Sequence, residues 1–406
     1  MPITTRDIRF LSFLNDSMAL KSFLESAKDI QHSKGFVTEE DLTELGVKFG
    51  IPDSMALSII SFYEMIKLEK DDKPTLCGGP GCGHEEPPQN CVETISCLGL
   101  CDSTNPAIYQ NKQLSFTKKA LAEIPNAKVL SDVSENLLLK PLESEHYLKK
   151  TKELLKVSSD ELLEKISSSK LTGRGGAGFP TAKKIVSTRS SKGEKVLICN
   201  FDESEPFVFK DRGIVEHNPF SVVSGMIITA KLIGAKDILV YVRGEYIKQK
   251  EIIDDTLNFF KTYFGDYNFF AVSGAGAYVC GEETALMESI EGKRGHPRKK
   301  PPFPFEKGFF GKPTLVLNVE TLGWIFEILD KGLISADRRV FCITGDINQK
   351  GVFESDGKLS INDIVSKYAQ GYVHNTGDYF ALLGGASGSF IDQREFDTPL
   401  DELLRN

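Results

Sequence analysis

The chain reads KVLICNFDESEPFVFKDRGIVEHNPFSVVSGMIITAKLIGAKDILVYV over residues 195–242. Two short apolar runs, 195–199 and 237–242, are bounded by polar and glycine residues, as buried strands are. Residues 219–233, which lie between them, have the apolar spacing of a helix. Strands that alternate with helices of this length predict βαβ units and a mainly parallel sheet.

The same alternation continues toward the C-terminus. It predicts a helix over 247–260, a strand over 269–273, a helix over 281–290, a strand over 314–318 and a helix ending near 328. From residue 339 the pattern changes to short strands, 340–344 and 379–383, around one helix at 361–368. That arrangement is typical of a small α+β unit.

The N-terminal part has a different character. Residues 1 to about 70 predict a small bundle of short helices, the third of which covers about 54–68. The side chains that this third helix turns toward a core are Leu57, Ile60 and either Phe62 or Tyr63. Glycine, proline and cysteine dominate the stretch 71–109. Such a segment cannot bury a large apolar core, so it needs a stabilising cross-link such as a bound metal or a disulfide.

The composition of the 406 residues excludes several classes of protein. The net charge of −8 disfavours nucleic acid or an anionic membrane as the partner of the whole chain. No apolar run approaches the ~20 residues of a membrane span, and charges interrupt residues 1–10, where a signal peptide would be apolar. The sequence therefore predicts a cytoplasmic protein that neither binds nucleic acid nor inserts into a membrane.

Five of the eight cysteines lie close together. Cys77 and Cys82 are separated by four residues, and Cys97 and Cys101 by three. Short glycine-rich loops let four sulfurs converge while backbone N–H groups point at inorganic sulfides, which favours an iron–sulfur cluster. Zinc, which more often binds Cys-x2-Cys pairs, and the absence of any metal are the alternatives. Cys91 is either a substitute ligand or a buried thiol.

A glycine loop with the sequence GRGGAGFPT covers residues 173–181. It satisfies the spacing G-x-G-x-x-G, but a helical stretch precedes it where a dinucleotide-binding fingerprint requires a strand. Its glycines still allow a ligand to come close to the loop backbone. The helix that begins near Pro180 presents N-terminal amides to a phosphate. Lys184 adds positive charge one turn later. The alternative is a tight turn that serves packing only.

Two acidic stretches directly follow predicted strands, NFDESEP at 200–206 and GAGAYVCGEET at 274–284. The C-terminal ends of parallel strands are where open α/β sheets bind ligands. Carboxylates there accept hydrogen bonds from ribose hydroxyls or a nicotinamide amide, and general acid–base catalysis is the alternative role. For Glu282 and Glu283, which open a helix, N-capping is a further alternative.

A basic loop, GKRGHPRKKPPF, covers residues 292–303. A nucleic-acid patch is one interpretation, but the flanking prolines and the acidic chain favour a rigid loop that faces a phosphate-bearing ligand. Phe303 and Phe179 are candidates to stack on an adenine or a nicotinamide ring. Burial in the core is the alternative for each of them.

Taken together, these stretches resemble the NADH-binding flavoprotein subunit of respiratory complex I and its relatives in NAD-dependent hydrogenases and formate dehydrogenases. The segments that carry the resemblance are 173–184, 200–212, 274–284, 300–304 and 318–321. Residues 1 to about 110, with SFY at 61–63, resemble the small [2Fe-2S] subunit of the same complexes, fused in front. The tail from 339 resembles a β-grasp (SLBB-like) domain, and the cysteine-rich helical [4Fe-4S] domain that follows it in the family is lacking.

The resemblance implies FMN, NAD(H) and a [2Fe-2S] cluster as cofactors. It implies that the cluster ligands are Cys77, Cys82, Cys97 and Cys101. The residues that it assigns to FMN and NADH are Gly173, Arg174, Gly175, Gly176, Ala177, Gly178, Phe179, Lys184, Asn200, Asp202, Glu203, Glu205, Tyr278, Gly281, Glu282, Glu283, Lys300, Phe303, Asn318 and Thr321. Within this set, Glu283, Lys300 and the two phenylalanines would contact NADH.

The expected architecture is a multidomain α/β chain. Its parts are a helical bundle (1–74), a thioredoxin-like ferredoxin region (75–115), a connector (116–156), a Rossmann-like α/β domain for FMN and NADH (157–336) and a β-grasp domain (337–406). Only 14 residues separate the two cysteine pairs, fewer than is usual in the family, so the thioredoxin-like region must be shortened.

The resemblance implies a function as an electron-input subunit of a cytoplasmic redox complex, which is either free or peripheral to a membrane. Hydride would pass between NADH and FMN, and single electrons between FMN and iron–sulfur clusters in this chain or in partner subunits. One alternative is a scaffold subunit without redox turnover. Another is an adaptor protein that has a structural zinc site and a nucleotide-sensing domain.

Overall fold

The computed structural model describes residues 22–70, 73–79, 82, 93–116, 121–140, 143–332, 338–374 and 377–404. Three helices come first: α1 (Phe23–Lys34), α2 (Glu39–Phe49) and α3 (Asp53–Ile60). Capping boxes at Ser22 and Thr38 begin α1 and α2, and a glycine in the left-handed conformation ends each of them. The predicted helical bundle is therefore present in the described part of the N-terminus.

The third helix is shorter than predicted. It ends at Ile60, because the following residues pair with another part of the chain: the backbone N–H groups of Glu64 and Met65 donate to the carbonyls of Gly276 and Ala275, at 2.9 and 3.0 Å. Ile60 and Tyr63 are buried as expected, whereas Leu57 is 41% exposed, so its predicted place in the core is wrong.

The cysteine region contains five short strands. They are β1 (Thr75–Cys77), β2 (Glu93–Ile95), β3 (Pro106–Tyr109), β4 (Lys112–Phe116) and β5 (Leu121–Glu123). Their order in the sheet is β2-β1-β3-β4-β5, with β1 and β2 parallel and the other pairs antiparallel. The relation of this sheet to a thioredoxin-like fold stays a prediction.

The central domain is a parallel α/β sheet, as the alternation of strands and helices predicts. Its elements are α4 (Ser144–Leu154), α5 (Ser159–Ser168), α6 (Thr181–Ser190), β6 (Lys195–Phe201), α7 (Lys210–His217), α8 (Pro219–Ile233), β7 (Ala235–Val242), α9 (Ile247–Lys261), β8 (Asn268–Ser273), α10 (Glu283–Ile290), α11 (Pro304–Lys307), β9 (Thr314–Asn318) and α12 (Val319–Lys331). The strand order is β8-β7-β6-β9, and all three pairs are parallel.

Both faces of this sheet are covered, which explains why its strands are apolar throughout. On one face, Leu197 and Cys199 of β6 pack among residues of α8, α9 and α12. On the other face, Val196 and Ile198 pack with α10 and with the N-terminal helices. Helices α8 and α12 approach so closely at Gly225 that a Cβ there would lie 1.9 Å from the carbonyl oxygen of Leu322.

The C-terminal part consists of two antiparallel ribbons and two short helices. Its elements are β10 (Arg339–Ile343), β11 (Gly351–Ser355), α13 (Ile361–Lys367), β12 (Phe380–Leu383), β13 (Ser389–Asp392) and α14 (Leu400–Leu403). Phe353, Tyr368 and Ile391 lie in its own apolar core. The predicted α+β pattern is confirmed, and the assignment to the β-grasp class stays a prediction.

Among the described residues, none of the helices combines the length and apolar character that crossing a membrane requires.

Candidate functional site

Two asparagines mark the edge of the sheet where β6 and β9 end. Asn200 and Asn318 are register partners on these neighbouring strands. The Asn200 side chain donates to the carbonyl of Gly281 at 2.9 Å, and Asn318 accepts from the Glu320 amide at 3.0 Å, which caps α12. Asn318 also donates to the carboxylate of Asp211 at 2.6 Å. The carboxyl edge of the sheet is therefore lined with side-chain amides held in fixed positions. Open α/β sheets bind their ligands at this edge.

The glycine loop lies directly over this edge. A Cβ at Gly175 would lie 3.3 Å from the Cβ of Asn318, so the loop backbone rests on that side chain. Gly176 and Gly178 have φ of 108° and 61°, and nothing lies within 4 Å of where their Cβ atoms would be. Residues 175–180, which include Ala177, are all exposed. The outer side of the loop therefore offers bare backbone, with the room that a bound phosphate or flavin needs.

Two other predicted residues hold the loop from below. Thr321, which is buried on α12, accepts from the Arg174 amide at 2.9 Å, and the amide of Gly173 donates to the carbonyl of Phe179 at 2.8 Å. The Arg174 side chain is also buried and donates to the carbonyl of Arg338 at 3.3 Å. Arg174 and Thr321 thus position the loop, and their side chains do not lie on its open side.

Four charged side chains meet beside α6. Lys184 lies 2.7 Å from Glu283, and Lys300 lies 2.8 Å from Glu283 and 2.9 Å from Glu282. Burial raises the pKa of the Glu283 carboxyl, but Lys184 and Lys300 outweigh it, so the pKa lies below its ordinary value. Glu282 also caps α10 through the amides of Thr284 and Ala285, at 2.7 and 2.9 Å. The N-capping alternative is therefore correct for Glu282.

At the same edge the carboxyl of Glu203 is buried and that of Asp202 is half-buried. Burial raises the pKa of each to about 7. Asp202 accepts from the hydroxyl of Ser204 at 2.8 Å, whereas Glu203 accepts from the Asp211 amide at 2.8 Å and from the hydroxyl of Tyr246 at 3.0 Å. Glu203 thus stabilises the start of α7 and the position of Tyr246, and both of its oxygens are engaged within the protein.

Three aromatic side chains near this edge are exposed. The exposed fractions are 53% for Phe179, 44% for Phe303 and 56% for Tyr278. Phe303 stacks on Phe305 with parallel rings and a centroid distance of 5.6 Å. The core alternative is therefore wrong for Phe179 and Phe303, and both are available to stack on a planar ring.

Several basic side chains of the loop at 292–303 have partners within the protein. The guanidinium of Arg298 lies 2.5 Å from Glu288 and 2.7 Å from Glu291, and Lys293 lies 2.6 Å from Glu291. The guanidinium of Arg294 lies over the ring of Phe62 at 4.9 Å. The carboxylate partners of Lys293 and Arg298 offset part of the loop's positive charge, which argues against the nucleic-acid interpretation.

The four predicted cluster cysteines converge as two pairs. The Sγ atoms are 3.3 Å apart for Cys77 and Cys82 and 3.8 Å apart for Cys97 and Cys101, and the cysteines in the described residues form no disulfide. Two thiolates on one tetrahedral metal with bonds of about 2.3 Å lie about 3.8 Å apart. The backbone amide of Leu98 points at the Sγ of Cys77 at 3.3 Å.

The two thiols of each pair lie within hydrogen-bonding distance of each other. A hydrogen bond from Cys101 lowers the pKa of Cys97, and one from Cys77 lowers the pKa of Cys82. In the described residues, no three His, Cys, Asp or Glu side chains form a group that could hold a single metal ion. The binding of a cluster by these four thiols therefore stays a prediction. Cys91 lies outside the described residues.

Comparisons with known proteins support the interpretation of the sheet edge. Residues 166–327 match the Nuo51 FMN-binding domain. The chain is 37% identical over 304 residues to the F subunit of the NADH-quinone oxidoreductase of Aquifex aeolicus, in an alignment that spans 68% of this chain and 71% of that relative. The chain belongs to this family of NADH-quinone oxidoreductase subunits.

Two further comparisons extend the family beyond the quinone-linked enzyme. The chain is 39% identical over 233 residues to the alpha subunit of the NAD-reducing hydrogenase HoxS of Cupriavidus necator, in an alignment that spans 52% of this chain but only 39% of that relative. The fold is similar to that of a chain in the crystal structure of an air-oxidized NAD+-reducing [NiFe]-hydrogenase, with a TM-score of 0.81, 25% identity, and coverage of 93% of this chain and 74% of that chain.

The Nuo51 match contains every residue predicted to hold FMN or NADH, since these lie between Gly173 and Thr321. The four cysteines lie outside the matched range. Family membership therefore supports FMN binding by the domain that contains this edge, and it does not extend to the four cysteines.

Sequence reasoning missed two buried arginines that join the cysteine region to the flavin-binding domain. Arg243 donates to the carbonyls of Cys97 and Glu203 and lies 2.9 Å from the carboxylate of Glu245. Arg212 donates to Asp102 at 2.6 Å. Both arginines are at most 2% exposed. An arginine directly after the apolar run 237–242, two residues before a glutamate, was the signal that could have identified Arg243.

Glu64 was also missed. Its carboxylate accepts from the backbone amide of Ser96 at 3.0 Å and from the Ser96 hydroxyl at 2.7 Å, next to the proposed ligand Cys97. Its own backbone amide donates to Gly276 in the loop that leads to Tyr278. One residue of the helical bundle thus connects the cysteine loop with a loop of the FMN-binding domain. No sequence motif points to this role.

Proposed function

We propose that this chain is the FMN-containing subunit through which electrons pass between NADH and a multi-subunit redox complex. The observation that supports this most strongly is the open glycine loop, which lies over the paired Asn200 and Asn318 within the FMN-binding match. The relatives named above are an NADH-quinone oxidoreductase subunit and an NAD-reducing hydrogenase subunit, which supports NADH as the nucleotide.

The exposed glycine amides and the first turn of α6 would hold the phosphate of FMN, because a helix N-terminus favours an anion. Asn200 and Asn318 would donate to or accept from the flavin ring. When bound, FMN accepts the hydride of NADH and passes electrons on singly. Phe179 and Phe303 would stack on the aromatic rings of the nucleotide.

The carboxylate of Glu283 would face the ribose of NADH. A carboxylate there accepts hydrogen bonds from ribose hydroxyls and repels a 2′-phosphate, so NADH would be preferred over NADPH. Lys184 and Lys300 hold this carboxylate from two sides, at 2.7 and 2.8 Å. The two lysines thereby keep the carboxyl ionised and oriented.

We further propose that Cys77, Cys82, Cys97 and Cys101 hold a [2Fe-2S] cluster, which would supply a one-electron acceptor. A cavity of about 390 Å³ has Cys97 on one side and Glu205 and Tyr278 on the other. The cluster would therefore lie at the wall of a cavity that also borders the FMN-binding edge. The fusion of this module to the FMN domain and a cytoplasmic location belong to the same proposal.

Metal and flavin analysis followed by anaerobic titration with NADH tests the proposal. We expect uptake of about three electrons per chain, two on FMN and one on the cluster. Uptake of about two with no iron would refute the cluster but not the dehydrogenase. Failure to bind FMN even after reconstitution would favour the scaffold, and zinc without flavin would favour the adaptor.

The Cys97→Ser variant separates the two cofactors. We expect it to lose the iron–sulfur absorbance and EPR signal and to keep FMN. The control is Cys199→Ala, which removes a buried thiol of β6 outside both cysteine pairs. Full iron content in the Cys97 variant would show that Cys97 is not an essential ligand.

A further inference from the structure

The loop between β12 and β13 of the C-terminal part reaches the FMN-binding domain. The backbone amide of Ser387 donates to Oε1 of Glu205 at 2.6 Å, and the amide of Ala386 donates to the carbonyl of Pro206 at 3.3 Å. Tyr278 donates to Oε2 of the same glutamate at 2.6 Å. Both carboxylate oxygens of Glu205 are therefore held, one by the FMN-binding domain and the other by the C-terminal ribbon.

Glycine at position 385 makes this contact possible. Gly385 has a φ of 85°, and a Cβ there would lie 2.4 Å from Cγ of Glu205 and 2.9 Å from Cγ2 of Val208. The preceding Gly384 has a similar φ of 94°, but the nearest atom to its Cβ position is the Cα of Gly388 at 3.6 Å. Position 384 thus needs glycine for its conformation alone, whereas position 385 also needs it for the approach to Glu205.

The same loop forms part of the cavity beside the cysteines. Ala386 and Ser387 line the cavity of about 390 Å³, together with Glu205 and Tyr278. Two covalently distant modules therefore meet at one carboxylate on the wall of this cavity. A side chain held on both oxygens cannot rotate freely, so its charge has a fixed position relative to whatever the cavity binds.

We propose that residues 385–387 are a positioning element of the nucleotide–flavin site, which holds the carboxylate of Glu205 from the C-terminal part of the chain. The inference rests on the proposed function, since Glu205 is one of the residues that the family resemblance assigns to FMN and NADH. It assigns the ribbon β12–β13 a role in the NADH reaction in addition to its packing.

The matched pair Gly385→Ala and Gly384→Ala tests this proposal in the full chain loaded with FMN. Both changes strain a left-handed backbone, but only the first pushes the loop off Glu205. We expect Gly385→Ala to raise the KM for NADH about fivefold to tenfold with a smaller change in kcat, and Gly384→Ala to change either constant less than twofold. Equal effects of the two changes would overturn the proposal.

A double-mutant cycle with Glu205→Gln distinguishes positioning from general destabilisation. If the loop acts through Glu205, the effect of Gly385→Ala on the KM shrinks in the Glu205→Gln background, whereas independent effects multiply. If Glu205→Gln alone changes neither FMN retention nor the KM for NADH, the result refutes the proposed role of Glu205 in the site itself. A normal role for Glu205 with no coupling to Gly385 refutes only the positioning element.

Hydrogen exchange gives a measurement that is independent of activity and of the folding of the glycine variants. The amide of Ser387 donates to Glu205, so Glu205→Ala should accelerate exchange of that amide at least tenfold. The amide of Asn362 on α13, which donates to the carbonyl of Phe396 within the same C-terminal part, serves as the internal reference and should not change. Unchanged exchange at Ser387 would overturn the contact on which the proposal depends.

Discussion

The carboxyl edge of the central sheet, where we propose that FMN binds, and the cysteine region are held in place in different ways. At the edge, Asn200 and Asn318 end neighbouring strands in register, so the sheet itself brings them together. In the cysteine region the described strands are only three to five residues long, and the segment that carries Cys97 is anchored by Arg243 of the other domain. The sheet itself therefore fixes the geometry of the edge. The geometry of the cysteine region depends on its contacts with the FMN-binding domain.

Replacing Arg243 by Met should have the largest effect on the docking of the cysteine region. The substitution leaves the buried carboxylate of Glu245 without its partner and removes a donor to the carbonyl of Cys97, so the free energy of unfolding should fall by about 3–5 kcal/mol. Iron should be lost before FMN when the variant is titrated with denaturant. Chemical denaturation with absorbance at flavin and cluster wavelengths measures both.

The double variant Arg243→Met with Glu245→Met is the control for the buried charge. Because it removes both partners of the pair, it should recover part of the stability lost in the single variant. Iron binding should stay weak in both, since each lacks the donor to Cys97. Normal iron content in the Arg243 variant would show that the cysteine region holds its shape without docking.

A second test concerns the half-buried carboxyl of Asp202 at the carboxyl edge of the central sheet. Its pKa is raised by burial from 3.8 to about 7, so the folded state holds a proton that the unfolded state releases. The stability contribution of this carboxyl is present below pH 3.8 and is lost as the pH rises through about 7.

Between pH 5 and pH 8, the free energy of unfolding of the wild type should therefore fall by about 2–3 kcal/mol relative to Asp202→Asn, whose side chain does not titrate. Denaturation of the FMN-free chain at several pH values measures the difference. Asp255→Asn, at an exposed carboxylate of α9, is the control variant. A difference that stays constant with pH would show that Asp202 is ionised in the folded protein throughout.

The contrast between the two regions also explains how much the sequence could predict. Strand β9 was predicted with its observed bounds, 314–318, and the alternation around it predicts the parallel sheet, because apolar period and turn residues are local signals. The early end of α3 at Ile60 could not be predicted, since the backbone of Glu64 and Met65 pairs with residues more than 200 positions away. Long-range pairing overrides a local helical pattern.

The candidate site shows the same division. The positions of Asn200, Asn318 and the open glycine loop follow from motifs and strand ends, which the sequence displays. The docking of the C-terminal loop onto Glu205 does not, because nothing in the chain near Ser387 indicates which carboxylate its amide will reach. Contacts between modules depend on how the modules pack against each other, and the apolar periodicity of a sequence does not indicate that packing.

The charge cluster beside α6 offers a third test, of specificity rather than stability. Glu283→Gln removes the carboxylate charge that Lys184 and Lys300 share, so Lys184 becomes available to a 2′-phosphate while Lys300 keeps its pair with Glu282. The preference for NADH over NADPH should fall about tenfold in kcat/KM, which corresponds to about 1.4 kcal/mol.

Glu288→Gln is the matched control for this specificity test, because Glu288 lies on the same helix but pairs with Arg298 instead. Its NADH preference should equal that of the wild type. Unchanged selectivity in Glu283→Gln would refute the proposed contact with the ribose and would leave Glu283 a structural partner of the two lysines.

The smallest expected effect belongs to Glu64, which connects the two regions through an exposed contact. Glu64→Ala removes both acceptors of Ser96, yet the loss of stability should stay below about 1 kcal/mol because water can replace an exposed partner. The Ser96 amide should exchange about fivefold faster, with Glu44→Gln on α2 as an unaffected control. A loss comparable to that of the Arg243 variant would mean that the bundle, and not the buried arginine, holds the cysteine loop against the FMN-binding domain.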